Sequence, residues 1–154
     1  MLHVKTEVGP SDIHGLGLIA AQDIKRGDLI WEFKAGFDLE MTREEVDGLS
    51  EAARETIMQL AYYNAERARY ILCADNGRFM NHSDDPNTVS VGFQGPEGEG
   101  RTYASRDISV GEELTENYTS FETKDRNVAA GIVKPAVDGN GVQKPVTANP
   151  PTAA

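Results

Sequence analysis

Cys73 is the only cysteine among 154 residues, so no disulfide can form within the chain and stability must come from an ordinary core. The three histidines, His3, His14 and His82, are scattered, and none lies at zinc-ligand spacing from Cys73. A structural metal site is therefore not expected. No apolar run approaches the roughly 20 residues that span a bilayer. The opening Met1-Leu2-His3-Val4-Lys5 lacks the layout of a cleaved signal peptide. These absences favour a soluble protein in a reducing setting, cytoplasmic or nuclear, with secretion by a route that needs no cleaved signal as the remaining option.

Positive charge is also scarce. Lys and Arg total 15 against 25 Asp and Glu, a net of −10. Residues 123–154 carry a net of +2, so the first 122 residues carry −12. A body this acidic repels phosphates, and direct nucleic-acid binding is not expected. Lysine-rich peptide segments are the partners it attracts, although surplus acid also simply keeps a small protein soluble.

The pattern along the chain is that of a mainly β (α+β) domain. Val4, Thr6 and Val8 alternate, Leu16, Leu18 and Ile19 follow a glycine pair, and Leu29–Phe33 is an apolar run entered through Lys25-Arg26-Gly27-Asp28. Between about residues 42 and 69 the period becomes helical. Thr42 and Glu45 form a capping box, Ser50 is a second N-cap, and Ala53, Ile57, Leu60, Ala61 and Asn64 share one face. Tyr70–Ala74 reads as a buried strand. Val89, Val91 and Phe93 then pair through the turn Gly95–Gly100 with Arg101–Ala104, and Leu114–Tyr118 is the last short strand. From residue 123 on, Gly and Pro alternate with Ala, Val and Thr, which reads as a flexible tail.

Three motifs stand out. Gly15-Leu16-Gly17 permits a ligand to approach the backbone, although a lone Gly-x-Gly usually marks a turn. The polar stretch Arg78-Phe79-Met80-Asn81-His82-Ser83-Asp84-Asp85-Pro86-Asn87 sets an amide beside an imidazole, and an amide both donates and accepts, as a zwitterionic amino-acid group requires. The third, Gly111-Glu112-Glu113-Leu114-Thr115-Glu116-Asn117-Tyr118, ends in a phenol.

In this order the three motifs resemble the SET domain, the fold of most protein-lysine methyltransferases, over roughly residues 3–122, which sets the expected domain at 1–122. The resemblance implies a β-clip of short sheets with a small helical insert and a C-terminal pseudoknot. It also implies S-adenosyl-L-methionine as cofactor and a lysine-containing basic protein, such as a histone, as substrate. On this reading the backbone at His14, Gly15, Leu16 and Gly17 lies against the methionine half of the cofactor. Asn81 holds that half through its side chain, the backbone beside His82 reads the adenine, and Tyr118 is the catalytic phenol.

The chain departs from the pattern in places. The family usually has an aromatic residue where Glu116 stands, which influences how many methyl groups are added. A carboxylate there either meets the substrate amine or points to solvent. Tyr63 sits roughly where the family places a substrate-side tyrosine, although a tyrosine at the end of an amphipathic helix is more often core. The cysteine-rich zinc segments of many relatives are missing, leaving Phe121, the tail or a second copy of the chain in a homodimer to close the site. Two other readings remain: an inactive SET domain, or a SAF-like β-clip binding module, which accounts for residues 14–33 but not for Asn81, His82 or Tyr118.

Overall fold

In the computed structural model, residues 1–64, 67–91 and 100–120 are described. Among these described residues, ten short strands and two helices follow one another as β1 (Thr6–Pro10), β2 (Leu16–Ala20), β3 (Leu29–Glu32), β4 (Leu39–Met41), α1 (Arg43–Asp47), α2 (Glu51–Leu60), β5 (Tyr62–Asn64), β6 (Arg69–Leu72), β7 (Asn81–His82), β8 (Thr88–Val91), β9 (Arg101–Ala104) and β10 (Glu113–Glu116). Single 3₁₀ turns precede β7 at Asn76–Phe79 and follow β10 at Tyr118–Ser120. The strands form three small sheets, ordered β1-β2-β10-β7, β3-β9-β8 and β4-β6-β5. This is the mainly β architecture that the sequence predicts.

Two clusters hold these sheets together. The larger joins Leu18, Ala20, Ile24, Ile30, Trp31, Cys73, Met80, Ala104, Ile108 and Leu114, which come from β2, β3, β9, β10 and their connections. Burying such side chains stabilises by roughly 1.5–3 kcal/mol each before entropy is charged against it. The smaller cluster, Val46, Ile57, Ala61 and Tyr70, fastens the helices to β6. Both predicted caps form: Thr42 and Glu45 bond reciprocally at the start of α1, and Ser50 Oγ accepts from Ala53 N–H at the start of α2.

The helical stretch is shorter than the periodicity predicts. It ends at Leu60, and Ala61 is already extended. Tyr62–Asn64 is a strand, with Tyr63 in register with Tyr70 and the two rings 4.9 Å apart. A cross-strand aromatic pair outweighs a weak helical preference in such a short segment. The turn at residues 95–99, Phe93, Phe121 and the segment 123–154 lie outside the described residues.

Strand β10, the last among the described residues, governs the architecture. Strand β10 is antiparallel to β2 through Glu113 and Leu114, then parallel to β7 through Thr115↔Asn81 and Glu116↔His82. A C-terminal strand thus sits between two much earlier ones. Asn87, only 2% exposed, completes the arrangement as a side-chain substitute for a neighbouring strand. Its Oδ1 accepts Thr115 N–H at 2.9 Å, and its Nδ2 donates to Glu113 O at 2.7 Å.

Candidate active site

Strand β7 and the residues after β10 bring the second and third motifs together. The Tyr118 hydroxyl donates to the main-chain oxygen of Met80 at 2.5 Å. The Tyr118 N–H donates to His82 Nδ1 at 3.2 Å, and the two rings lie 5.4 Å apart. Because Nδ1 accepts, the ring proton belongs on Nε2, which faces Asp84 Oδ1 at 3.3 Å. His82 therefore braces the loop of Tyr118. Asn81 and His82 are a two-residue parallel strand, although the sequence reads as a polar loop there.

The first motif joins the same place. Gly15 has φ +51°, a left-handed conformation that favours glycine. Gly17 is constrained by space: a Cβ there would lie 2.3 Å from Glu113 Oε1. Asn81 Nδ2 lies 3.1 Å from His14 O, 3.0 Å from Leu16 O, 2.9 Å from Glu113 Oε1 and 3.1 Å from Ser11 Oγ. Ser11 Oγ in turn donates to the Glu113 carboxylate at 2.9 Å and accepts the N–H groups of Ile13 and His14. His14, Gly15, Leu16, Gly17, Asn81, His82 and Tyr118 thus form one contiguous group. Ser11 and Glu113 belong to it as well, and sequence reasoning missed both. The signal that points to them is Gly17, whose missing side chain makes room for a carboxylate from a strand almost a hundred residues away.

The remaining candidates are placed differently. Glu116 is 9% exposed and does not point to solvent. Its carboxylate accepts from Ser90 Oγ and, at 3.3 Å, from Thr102 Oγ1. Tyr63 packs on Tyr70 beside the smaller cluster. Phe121 lies outside the described residues. Burial pushes the Cys73 thiol far above its ordinary value, and the carboxylates of Asp38, Asp75 and Glu116 add to the shift, so it is no nucleophile. The Arg106 guanidinium holds the Glu112 carboxyl below the usual range, helped by Asn87 and Ser109 N–H. Among the described residues, no group of His, Cys, Asp and Glu is arranged to hold a metal ion, and no helix is long and apolar enough to cross a membrane.

The sequence model of the SET domain matches residues 15–119, which span all three motifs. This chain belongs to the SET-domain family. Among its relatives, a histone-lysine N-methyltransferase of Schizosaccharomyces pombe, specific for lysine 4 of H3, is 34% identical over 125 residues, covering 77% of this chain and 13% of that protein. One from Mycosarcoma maydis, specific for lysine 36 of H3, is 28% identical over 123 residues, covering 75% of this chain and 12% of that protein. This SET domain therefore corresponds to a small part of each. The fold matches that of the Chaetomium thermophilum Polycomb Repressive Complex 2 bound to GSK126, with a TM-score of 0.61 at 22% identity over 86% of this chain and 18% of that one. It also matches ctPRC2 in an autoinhibited conformation bound to S-adenosylmethionine, with a TM-score of 0.58 at 22% identity over 83% of this chain and 17% of that one.

Proposed function

We propose that this SET domain transfers methyl groups from S-adenosylmethionine to the side-chain amine of a lysine in a basic protein, and that Tyr118 is the catalytic residue. The observation that carries this reading is the pair of bonds from Tyr118, through its hydroxyl to Met80 O and through its N–H to His82 Nδ1. They hold the phenol against Met80 and His82, the residues on either side of Asn81. The acceptor-rich surroundings of Asn81 Nδ2 fit the amino-acid end of the cofactor. His14, Gly15, Leu16, Gly17, Asn81, His82 and Tyr118 would hold it.

When bound, the cofactor supplies a methyl group on a cationic sulfur, which keeps the electron pair as the methyl passes to nitrogen. The rest is positioning. A lysine side chain with an ordinary value near pH 10.4 must first lose its proton, and desolvation in a narrow channel favours the neutral amine. Tyr118 orients that amine through its oxygen. Glu116, held by the hydroxyls of Ser90 and Thr102, is the group we place on the lysine side, where its charge would attract the incoming ammonium. The acidic body favours a basic partner such as a histone tail, in the nucleus or the cytoplasm.

The test is incubation of the purified protein with labelled S-adenosylmethionine and a panel of basic proteins that includes histone H3, followed by mapping of the modified lysine. Transfer that disappears in Tyr118→Phe is the expected result. Cofactor binding without transfer to any member of the panel would count against an enzyme, and absence of binding would remove the reading altogether.

A further inference from the structure

Strand β8 ends the sheet β3-β9-β8, and among the described residues no strand pairs with its other edge. Ser105 N–H donates to Asn87 O, so by antiparallel alternation the odd-numbered residues of β8 bond to β9. The N–H and C=O of Ser90 then point to the free edge. The Ser90 and Thr102 hydroxyls turn inward to Glu116. Val89 and Val91 therefore face outward, 46% and 48% exposed. Tyr103 stands beside Val89, and Arg101 beside Val91, on the same outer face.

Proteins usually blunt an open edge with charge, proline or a cover. Here β1 carries Glu7 and Pro10, β4 carries Glu40, and Leu2 covers β3 through its bridge to Trp31. Strand β7 is two residues long and runs into Asp84 and Asp85. The rings of β5 are spent on Trp31 and Tyr70. Strand β8, Thr-Val-Ser-Val, has neither charge nor proline. The first 122 residues carry −12, so copies of this chain repel one another over most of their surface. At β8 two copies can meet without pressing like charges together.

We propose that β8 pairs antiparallel with β8 of a second copy, about a twofold axis at Ser90. Ser90 exchanges both main-chain bonds with its counterpart. Val89 of one copy lies opposite Val91 of the other, in the closely spaced pairs that lie between ladder bonds. Each outer row then reads Tyr103–Val89 on one copy and Val91–Arg101 on the other, which keeps the two arginines apart. Two three-stranded sheets become one of six strands. The same edge serves on both sides, so assembly closes at two. The edge is short and the contact small, below about 1,200 Å² in total, so the dimer is reversible.

Analytical ultracentrifugation of the full chain should show a concentration-dependent change from one chain to two. Val89→Lys combined with Val91→Lys charges both outward positions. It should weaken self-association at least about tenfold and leave the melting temperature nearly unchanged, because both side chains are half exposed. Amide exchange of the unsubstituted chain reads the edge directly and covers the case in which the double variant does not fold. Ser90 N–H should exchange more slowly at high protein concentration than at low.

A chain that stays single at every concentration would overturn the proposal. So would a dimer that survives both lysines, which would place the interface elsewhere, or masses that grow beyond two chains. Protection of Ser90 N–H by an added histone H3 peptide, with the chain still single, would give the edge to an extended peptide and would equally overturn it. None of these measurements needs methyl transfer, so the dimer is tested independently of catalysis.

Discussion

The phenol of Tyr118 donates its hydrogen to the main-chain oxygen of Met80, one residue before Asn81. The bond fixes the ring against β7 and leaves its oxygen able to accept from an amine. Tyr118→Phe keeps the ring and removes the hydroxyl. We expect turnover to fall at least about a hundredfold, the usual scale for losing a positioned catalytic group. Affinity for the cofactor should stay within about threefold, and stability should drop by about 1 kcal/mol. Single-turnover methylation, calorimetry and denaturant melts read the three quantities separately. A variant with ordinary turnover would remove Tyr118 from the chemistry.

Gly17→Ala tests the close approach of the loop to Glu113. The new methyl group would overlap the carboxylate, which must swing away from Asn81. The end of a flexible side chain yields easily, so the melting temperature should fall only slightly. Cofactor affinity should fall about tenfold, the scale of one lost hydrogen bond beside Asn81. Unchanged affinity would show that this close approach does not serve the cofactor site.

The Glu116 carboxylate is anchored by Ser90 and Thr102, and on the proposed reading it lies on the lysine side of the site. Replacing it with Phe should change the distribution of mono-, di- and trimethylated product in mass spectra of a methylated peptide. An unaltered distribution would mean that this carboxylate serves the core alone.

Asn87 satisfies one donor and one acceptor of β10 through its side-chain amide. Asn87→Ala leaves Thr115 N–H and Glu113 O buried without that partner. The expected loss is about 2–4 kcal/mol, since each orphaned group costs about 1–3 kcal/mol. Equilibrium unfolding in urea checks it, and a loss below about 1 kcal/mol would mean that water replaces the amide.

Glu112 predicts a specific acid response. Its carboxyl titrates lower in the folded chain than its ordinary value of 4.5, chiefly because Arg106 bonds to it. The unfolded chain therefore takes up the proton first as pH falls. The stabilisation is present in full above pH 4.5 and is lost as pH drops through the lower, folded value. The pair is partly exposed, so the contribution is at most about 1 kcal/mol. The stability gap between the native chain and Glu112→Gln should be constant from neutral pH down to about 5 and close below it. A gap that persists at acid pH would trace the effect to packing.

Much of this was written locally. The capping box at Thr42 and Glu45 and the alternation at Val89 and Val91 each arise within a few residues, and both appear as the pattern predicts. The motif around Asn81 and the one ending at Tyr118 were legible as chemistry, but their contact was not. A two-residue strand has no periodicity, and its parallel partner lies 34 residues on, at Thr115↔Asn81. Tyr62–Asn64 continued a helical pattern until a neighbouring strand supplied a better use for the rings. Ser11 and Glu113 escaped notice because a serine and a glutamate 102 residues apart are unremarkable until a glycine brings them together.

The placement of β10 between β2 and β7 also sets an order of events. While the ribosome is still making residues 111–118, β2 and β7 lack the strand that joins them, and the groups around Asn81 have no common centre. A nascent chain halted there would show open strand edges to its neighbours and would tend to aggregate. Affinity for the proposed cofactor would then be gained only once β10 is in place, so that a small-molecule binder could report that step inside cells.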